Sequence, residues 1–403
     1  MCDECGLHHK PGVPGNGAKP PEAVPWSTVS TGDPLEGMTT EPARRSRRGT
    51  GDDDPYAEPE ERRSGGRRAV IIAFSVLLGL VVLGGGAVAG YLAWVNNNIE
   101  RIADPFDDLD PAARPTPAPT EPGAEATPLN ILVLGSDSRI SAGDPSSWEE
   151  GGQRTDALMV VHLPADRQSA VVMSIPRDSW VPVPGHGEAK INAAFSFGGP
   201  TLAIQTVEDL TGIRIDNFVV ADFTSFVELT DTLGGVQITV PEDVYEHDKL
   251  LFSAGQQTLS GEQALAYTRQ RYGLPGGDFD RVKRQQNWIR AMVAKTKNDG
   301  LISNPVRLTN LLTVVSRSVS VDDSLGINEM RAIAESLDGL ATNDITFLTA
   351  PNAGTGTSAD GQSIVLLDRA AFDPLVAAIA QDTSAEYIGA NKDALGVLGA
   401  TVK

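Results

Sequence analysis

Three features of this 403-residue chain predict an α/β domain carried behind a single membrane-crossing helix. Ala69 to Val95 holds no charged residue over about 27 positions, enough for a hydrocarbon core that needs roughly 20. Beyond Leu129, short apolar runs alternate with amphipathic helical patterns, as expected of helices layered on a sheet. Prolines at 105, 111, 115, 117, 119, 122 and 128 separate the two as an extended spacer.

The chain is 40% apolar, so it can bury a sizeable core. Its 33 basic residues stand against 53 acidic ones, a formal charge of -20 that excludes a general nucleic-acid binder but not a local basic site. Cys2 and Cys5 are the only cysteines, so downstream stability must come from packing rather than disulfides.

Residues 1–68 are rich in Pro, Gly, Ser and charge without periodicity, which predicts a disordered tail. Cys2, Cys5, His8 and His9 are zinc-type ligands, but no apolar run follows that could fold around a metal. Arg62, Arg63, Arg67 and Arg68 precede the apolar run, and Tyr91 and Trp94 lie near its far end. The positive-inside rule then leaves the tail in the cytoplasm and everything after residue 95 outside, in a cell membrane crossed once. A cleaved signal peptide is disfavoured because the run is too long and too far from the start. The expected organisation is tail 1–68, span 69–95, spacer 96–128, folded domain 129–382 and a flexible C-terminal tail 383–403.

Within the domain, Leu129–Leu134 reads as a buried strand that delivers Ser136, Asp137, Ser138 and Arg139 at its end. Arg154-Thr155-Asp156 leads into a second strand, Ala157–Leu163. The short turn Ala-Asp-Arg-Gln leads to a third, Ala170–Ile175, followed by Pro176-Arg177-Asp178. Strands joined so closely pair as a hairpin, which places Asp156 and Arg177 at one sheet edge. Lys190 and Asn192 follow, then a helix from Gly199-Pro200 to about Thr211 and a strand at Asn217–Ala221. Asp222 reads as the cap of a helix stopped by Gly234-Gly235, and Val236–Val240 as a strand. Ser260 and Gln263 form a capping box for a helix to about Tyr267. Helical patterns then run from Arg281 to about Asp338, followed by strands near Ile345–Thr349 and Ile364–Leu367 and a closing helix, Ala370–Ala380.

The chemistry concentrates between Arg269 and Arg284, where five cationic side chains fall in sixteen residues of an acidic protein. In an extended segment Arg269 and Arg271 project the same way, as a paired clamp. Asp280 reads as the N-cap of a helix on which Arg281, Arg284 and Gln285 share one face. Arginine predominates, which suits bidentate contact with phosphate oxygens. A solvated, salt-bridged helix start would look similar, with Asp278 and Asp280 neutralising part of the charge.

With Gly-Ser-Asp-Ser-Arg, Arg-Thr-Asp, Ile-Pro-Arg-Asp, Lys-Ile-Asn, Thr-Arg-Gln-Arg, Asp-Phe-Asp-Arg and Arg-Gln-Gln in this order, the chain resembles the LytR-CpsA-Psr family from about Leu129 to Asp382. The Ala/Gly/Asp-rich, aromatic-poor style is of an actinobacterial kind. The resemblance implies an α/β/α sandwich with a central mixed sheet and a long hydrophobic pocket for a carrier lipid. It implies a phosphotransferase that moves a glycopolymer from a polyprenyl-pyrophosphate carrier onto a peptidoglycan hydroxyl as a phosphodiester. Mg2+ is the implied cofactor, with Mn2+ as the alternative ion. By matching motifs, Asp137 and Asp156 are the implied metal-side carboxylates. Arg177, Arg269, Arg271 and Arg281 are the implied pyrophosphate ligands, Gln285 helps position them, and Lys190 and Asp278 are further substrate contacts.

Residue chemistry agrees with that assignment. Pyrophosphate transfer needs charge neutralisation and an acceptor oxygen held in line, which arginines and a metal supply without a covalent protein intermediate. Mg2+ engages one or two carboxylates plus phosphate oxygens and water. Either carboxylate can instead take the acceptor proton, Asp156 can be a structural partner of Arg177, and Asp137 can merely turn the chain. His162, inside an apolar strand, reads as a core histidine, and His186 remains a base by type. No glycine-rich loop followed by Lys-Ser/Thr is present, so nucleotide-driven chemistry is disfavoured. Three other readings compete: a pyrophosphatase on lipid-linked precursors, a non-catalytic scaffold that binds polyprenyl-linked glycan, and a transcriptional regulator. An acidic pair beside the arginines opposes the scaffold, and a folded domain outside the membrane opposes the regulator.

Overall fold

The computed structural model describes residues 89–119, 126–136, 155–246, 249–270, 274, 276–400 and 402. The tail 1–68 and the first twenty positions of the expected span, 69–88, lie outside the described residues. Among the described residues no helix is long and apolar enough to cross a membrane.

The described chain begins as a helical segment over 89–97 and passes into β1 (Glu100–Ile102). This differs from the expected spacer 96–128. Ile102 is buried, Leu109 packs into the main core, and Arg114 makes a bidentate pair with Glu208, itself only 2% exposed. A buried carboxylate needs a counter-charge, and Arg114 provides it from a stretch whose prolines had suggested a free linker.

β2 (Leu129–Ser136) and β3 (Thr155–Leu163) pair antiparallel, as do β3 and β4 (Ala170–Ser174), so the expected hairpin forms. The small ribbon of β5 (Trp180–Val183) and β6 (Gly187–Lys190) leads into α1 (Ile191–Thr211). That helix starts earlier than expected and breaks at Gly198 and Gly199. Gly199 takes φ 64, and Pro200 restarts the helix with its preset φ. β7 (Asn217–Asp222), α2 (Phe223–Thr232) and β8 (Val236–Val240) follow, then β9 (Val244–Glu246), β10 (Lys249–Phe252) and β11 (Gly255–Leu259). α3 (Gly261–Arg269) starts at the expected Ser260/Gln263 capping box.

α4 (Asp278–Asn298) and α5 (Pro305–Ser318) are separate helices, the second opened by the Asn304 cap and Pro305. The helical pattern expected to reach Asp338 is then interrupted by β12 (Val319–Asp322) before α6 (Ile327–Ser336). β13 (Ile345–Thr349), the β14 (Asn352–Thr357) and β15 (Ser363–Leu367) hairpin, α7 (Arg369–Ala380) and α8 (Ser384–Asn391) complete the chain. The expected tail 383–403 is therefore partly ordered: Ile388 and Leu395 enter the main core, and the Leu398 N–H donates to the Phe347 carbonyl at 2.8 Å.

The central sheet is mixed, in the order β1-β12-β7-β2-β3-β4-β13. One face is closed by α1 and α7, with Leu132, Leu134, Val160 and Met173 packed against Phe195, Ile204, Phe372 and Leu375. The other face carries Val133, Met159, Val161, Val172 and Phe347 towards α4. Burial along β2 alternates accordingly, complete at 130, 132 and 134 and partial at 129, 131 and 133.

Candidate active site

The β3/β4 pairing decides where the charge meets. Asp156 stands at the start of β3 and Arg177 three residues past the end of β4, so the antiparallel register brings them to one edge, where Arg177 Nη1 donates to Asp156 Oδ1. Nη1 of Arg281, from the first turn of α4, lies 3.9 Å from that same oxygen, while its Nη2 holds Asp278 at 2.8 Å. On the other side, Arg177 Nε is 3.6 Å from Asp178, which also pairs with Lys190 Nζ at 3.1 Å. Cations and carboxylates thus alternate from Asp278 through Arg281, Asp156, Arg177 and Asp178 to Lys190. Burial works against the Arg177 charge, but Asp156, Asp178 and Asp278 outweigh it and hold the guanidinium above its usual pKa. Arg177 therefore stays cationic, and Arg281 is held at 3% exposure beside it.

The loop before α4 builds this corner. Gly277 takes φ 57, and a side chain on Gly276 would strike the Asp280 carboxylate, which accepts the Gly276 N–H at 2.7 Å. The helix begins at Asp278, so Asp280 lies inside the first turn, not at the cap as expected; it folds back to pin the loop. Gln286, on the opposite flank from solvent, donates to Ser174 Oγ at 2.9 Å and to the Leu348 carbonyl at 2.8 Å, tying α4 to β4 and β13. Sequence reasoning passed over Gln286 in favour of its neighbour, and nothing in a Gln-Gln pair distinguishes the stitching residue. Asp178 was likewise visible in the Pro-Arg-Asp run without its link to Lys190.

Other expected residues fall differently. Arg284 shares α4 but turns away from Asp156: Nη1 donates to Gln270 Oε1 at 3.0 Å and the guanidinium lies 4.5 Å over the Tyr267 ring. Its burial lowers its pKa despite Tyr267, Asp280 and Glu242 nearby. Arg269 is the exposed last residue of α3 and so is helical, which removes the extended geometry assumed for a pair with Arg271. Arg271 and Asp137 lie outside the described residues. Gln285 is half-buried on the same helical stripe as Arg281. His162 is fully buried in the core, its Nδ1 2.8 Å from Asn130 Oδ1, while His186 stacks on Phe197 at 4.6 Å.

Further along that stripe, Ile289, Met292, Val293 and Thr296 line an apolar cavity of about 500 Å³ under the second face of the sheet. Val133, Met159, Val172 and Phe347 form its opposite wall. One helix therefore carries the cation at its first turn and the cavity lining from its fourth turn on. With a rise of about 1.5 Å per residue, the eight residues from Arg281 to Ile289 span roughly 12 Å. Among the described residues no group of three or more His, Cys, Asp or Glu side chains could hold a metal ion. The hard oxygen of Asp156 suits Mg2+ when phosphate oxygens complete the shell.

A family model described as the LytR_cpsA_psr family matches residues 100–379, beginning at β1. The chain is 34% identical over 277 residues to the cell wall biosynthesis protein LcpA of Corynebacterium glutamicum, covering 59% of this chain and 53% of that one. It is 35% identical over 212 residues to the polyisoprenyl-teichoic acid–peptidoglycan teichoic acid transferase TagU of Enterococcus faecalis, covering 51% and 65%. The chain thus spans between about half and two thirds of the length of these relatives. The crystal structure of B. subtilis TagV matches with a TM-score of 0.55 and 26% identity, over 64% of this chain and 98% of that one.

Proposed function

The chain belongs to the LytR-CpsA-Psr family, and from that premise we propose that it transfers a glycopolymer from a polyprenyl-pyrophosphate carrier to a hydroxyl of peptidoglycan. The observation that carries the reading is the run of α4 from a buried arginine beside Asp156 to an apolar cavity: an anionic head and a hydrocarbon tail, joined, are what such a surface fits. Curated relatives named for cell wall biosynthesis and for teichoic acid transfer to peptidoglycan support the same class of reaction.

In this mechanism Arg177 and Arg281 exchange their carboxylate partners for pyrophosphate oxygens, with Arg269 and Arg271 as further pyrophosphate ligands. Asp278 holds Arg281, Lys190 pairs with Asp178 or contacts the substrate, and Gln285 stands between the head-group cluster and the cavity. The acceptor oxygen bonds to the phosphorus that bears the glycan as the bridging oxygen bond breaks, releasing polyprenyl phosphate. The acceptor proton passes to Asp156 or to solvent. Preorganised cations stabilise the charge that develops on the transferring group. Asp156 with Asp137 would hold Mg2+, which supplies further neutralisation of the pyrophosphate when bound. The apolar run from Ala69 anchors the domain to the outer side of the membrane in this reading, beside both substrates.

The test is full-length protein in detergent with a polyprenyl-pyrophosphate-linked glycan, Mg2+ and peptidoglycan fragments, with products read by mass spectrometry. A phosphodiester-linked adduct, absent in Arg177→Ala and Asp156→Ala, is expected. Free glycan phosphate without adduct would make the protein a pyrophosphatase, and binding without turnover a scaffold; either result refutes the transferase.

A further inference from the structure

A second hollow, of mixed polar and apolar lining and about 370 Å³, opens beside Arg177. Its wall is formed by Arg177, Asp178, Lys190, Asn192, Phe197 and Gln362, and the small side chains of Ala189 and Ala193 leave its space open. None of these residues lines the apolar cavity, so the hollow is a separate space, and it is the one that Arg177, Asp178 and Lys190 themselves border.

The wall's chemistry defines the ligand. Lys190 and Arg177 both lean on Asp178, and Arg177 also holds Asp156, so the charges are largely compensated among themselves. The uncharged polar groups of the wall are the Ser196 hydroxyl and two carboxamides, each carboxamide offering donor and acceptor together, which match neighbouring hydroxyls. Phe197, backed by the stacked His186 ring at 4.6 Å, adds an aromatic surface for C–H faces. Asn192 is fixed because its main-chain N–H donates to the Arg177 carbonyl at 3.2 Å. Gln362 enters from the β14/β15 hairpin, anchored by Nε2 on Asp360 at 2.6 Å. The volume lies within the range of small-ligand sites and is about that of a mono- or disaccharide.

We propose that this hollow seats a pyranose ring of the glycan substrates with its hydroxyls next to Arg177. The inference rests on the transferase reading. In-line transfer sets the acceptor opposite the leaving group, and the leaving polyprenyl phosphate belongs to the cavity side, so the acceptor sugar is the expected occupant. The ring next to the donor's phosphate has the same chemistry, and the experiment separates the two.

Ala193→Leu fills the hollow with an uncharged side chain, and Gln362→Ala removes an exposed carboxamide without threat to folding. Apparent KM is measured for a soluble muropeptide and for the lipid-linked glycan, using the full-length chain in detergent and variants checked by Tm. The acceptor KM should rise about tenfold in Ala193→Leu and about two- to tenfold in Gln362→Ala, as loss of one hydrogen bond allows. Donor KM and saturated kcat should hold in both variants. A rise confined to the donor KM keeps the subsite and assigns the ring to the donor, whereas unchanged values in both arms overturn it. Should Ala193→Leu fail to fold, Gln362→Ala decides alone. If wild type forms no adduct, the transferase reading fails by itself, and calorimetric binding of the same muropeptide then tests the hollow: weaker binding by Gln362→Ala or Ala193→Leu sustains it, and equal or absent binding sinks it.

Discussion

The two faces of the central sheet are built from alternate residues of the same strands, and they differ in what covers them. Leu132, Leu134 and Met173 are wholly buried against α1 and α7. Val133 and Val161, one residue along, are equally apolar but only partly buried, because α4 stands off to leave the cavity. The contrast teaches that apolar patterning specifies which face is dry without specifying whether it is full. The filled face carries the denser packing, and the hollow face is where the fold leaves packing incomplete.

The contrast breaks most readily at the pair of neighbours in β2. Leu134→Ala should lower unfolding free energy by about 2–5 kcal/mol, because a rigid core cannot close over the void. Val133→Ala should cost less than about 1 kcal/mol, since its side chain already faces open space. Urea titration of both variants measures this, and equal losses would abolish the distinction between the faces.

Next in size is the charged cluster, of which Arg177, Asp178 and Lys190 border the smaller hollow. Arg177→Ala should reduce transfer by about 10²–10³-fold, the usual consequence of losing a preorganised charge partner, with a Tm shift smaller than that of Leu134→Ala. Gln286→Ala should then cost about 1–3 kcal/mol by leaving Ser174 and the Leu348 carbonyl without their donor. It should also weaken binding of lipid-linked glycan, because α4 holds Arg281. The smallest effect on stability sharpens the comparison: Val172→Phe, pointing into the hollow, should change stability by less than about 1 kcal/mol while abolishing lipid-linked glycan binding. A lysine-free overpacking on the filled side, Ala203→Phe, should instead cost about 1–3 kcal/mol and leave that binding alone in the folded fraction.

Much of the architecture was legible where the chain's signals are local. The short Ala-Asp-Arg-Gln turn fixed the β3/β4 hairpin, and with it the meeting of Asp156 and Arg177. Ser260 and Gln263 announced α3, although the helix runs on through Arg269 and so carries that arginine away from the extended geometry expected of it. What could not be read depended on partners remote in sequence. β1 and β12 are three and four residues long and become strands only by pairing with each other and with β7. Arg114 is ordered by Glu208, and Gln286 by β4 and β13. Arg284 had the right spacing to join Arg281, but the Tyr267 ring and Gln270 offered it a closer home.

The pairing of β1 with β12 also sets a schedule. Arg101 donates to the Asp322 carbonyl, 221 residues away, so the strand made early in synthesis has nothing to join until β12 has been made. Closing so long a loop costs little more than closing a medium one, but it is slow. The edge strand thus settles late during biogenesis and, held by only three residues, peels readily when the domain begins to open. Its departure would bare the edge of β12 and offer it to another chain, so the quality of newly made protein hinges on how promptly this short strand is sewn in.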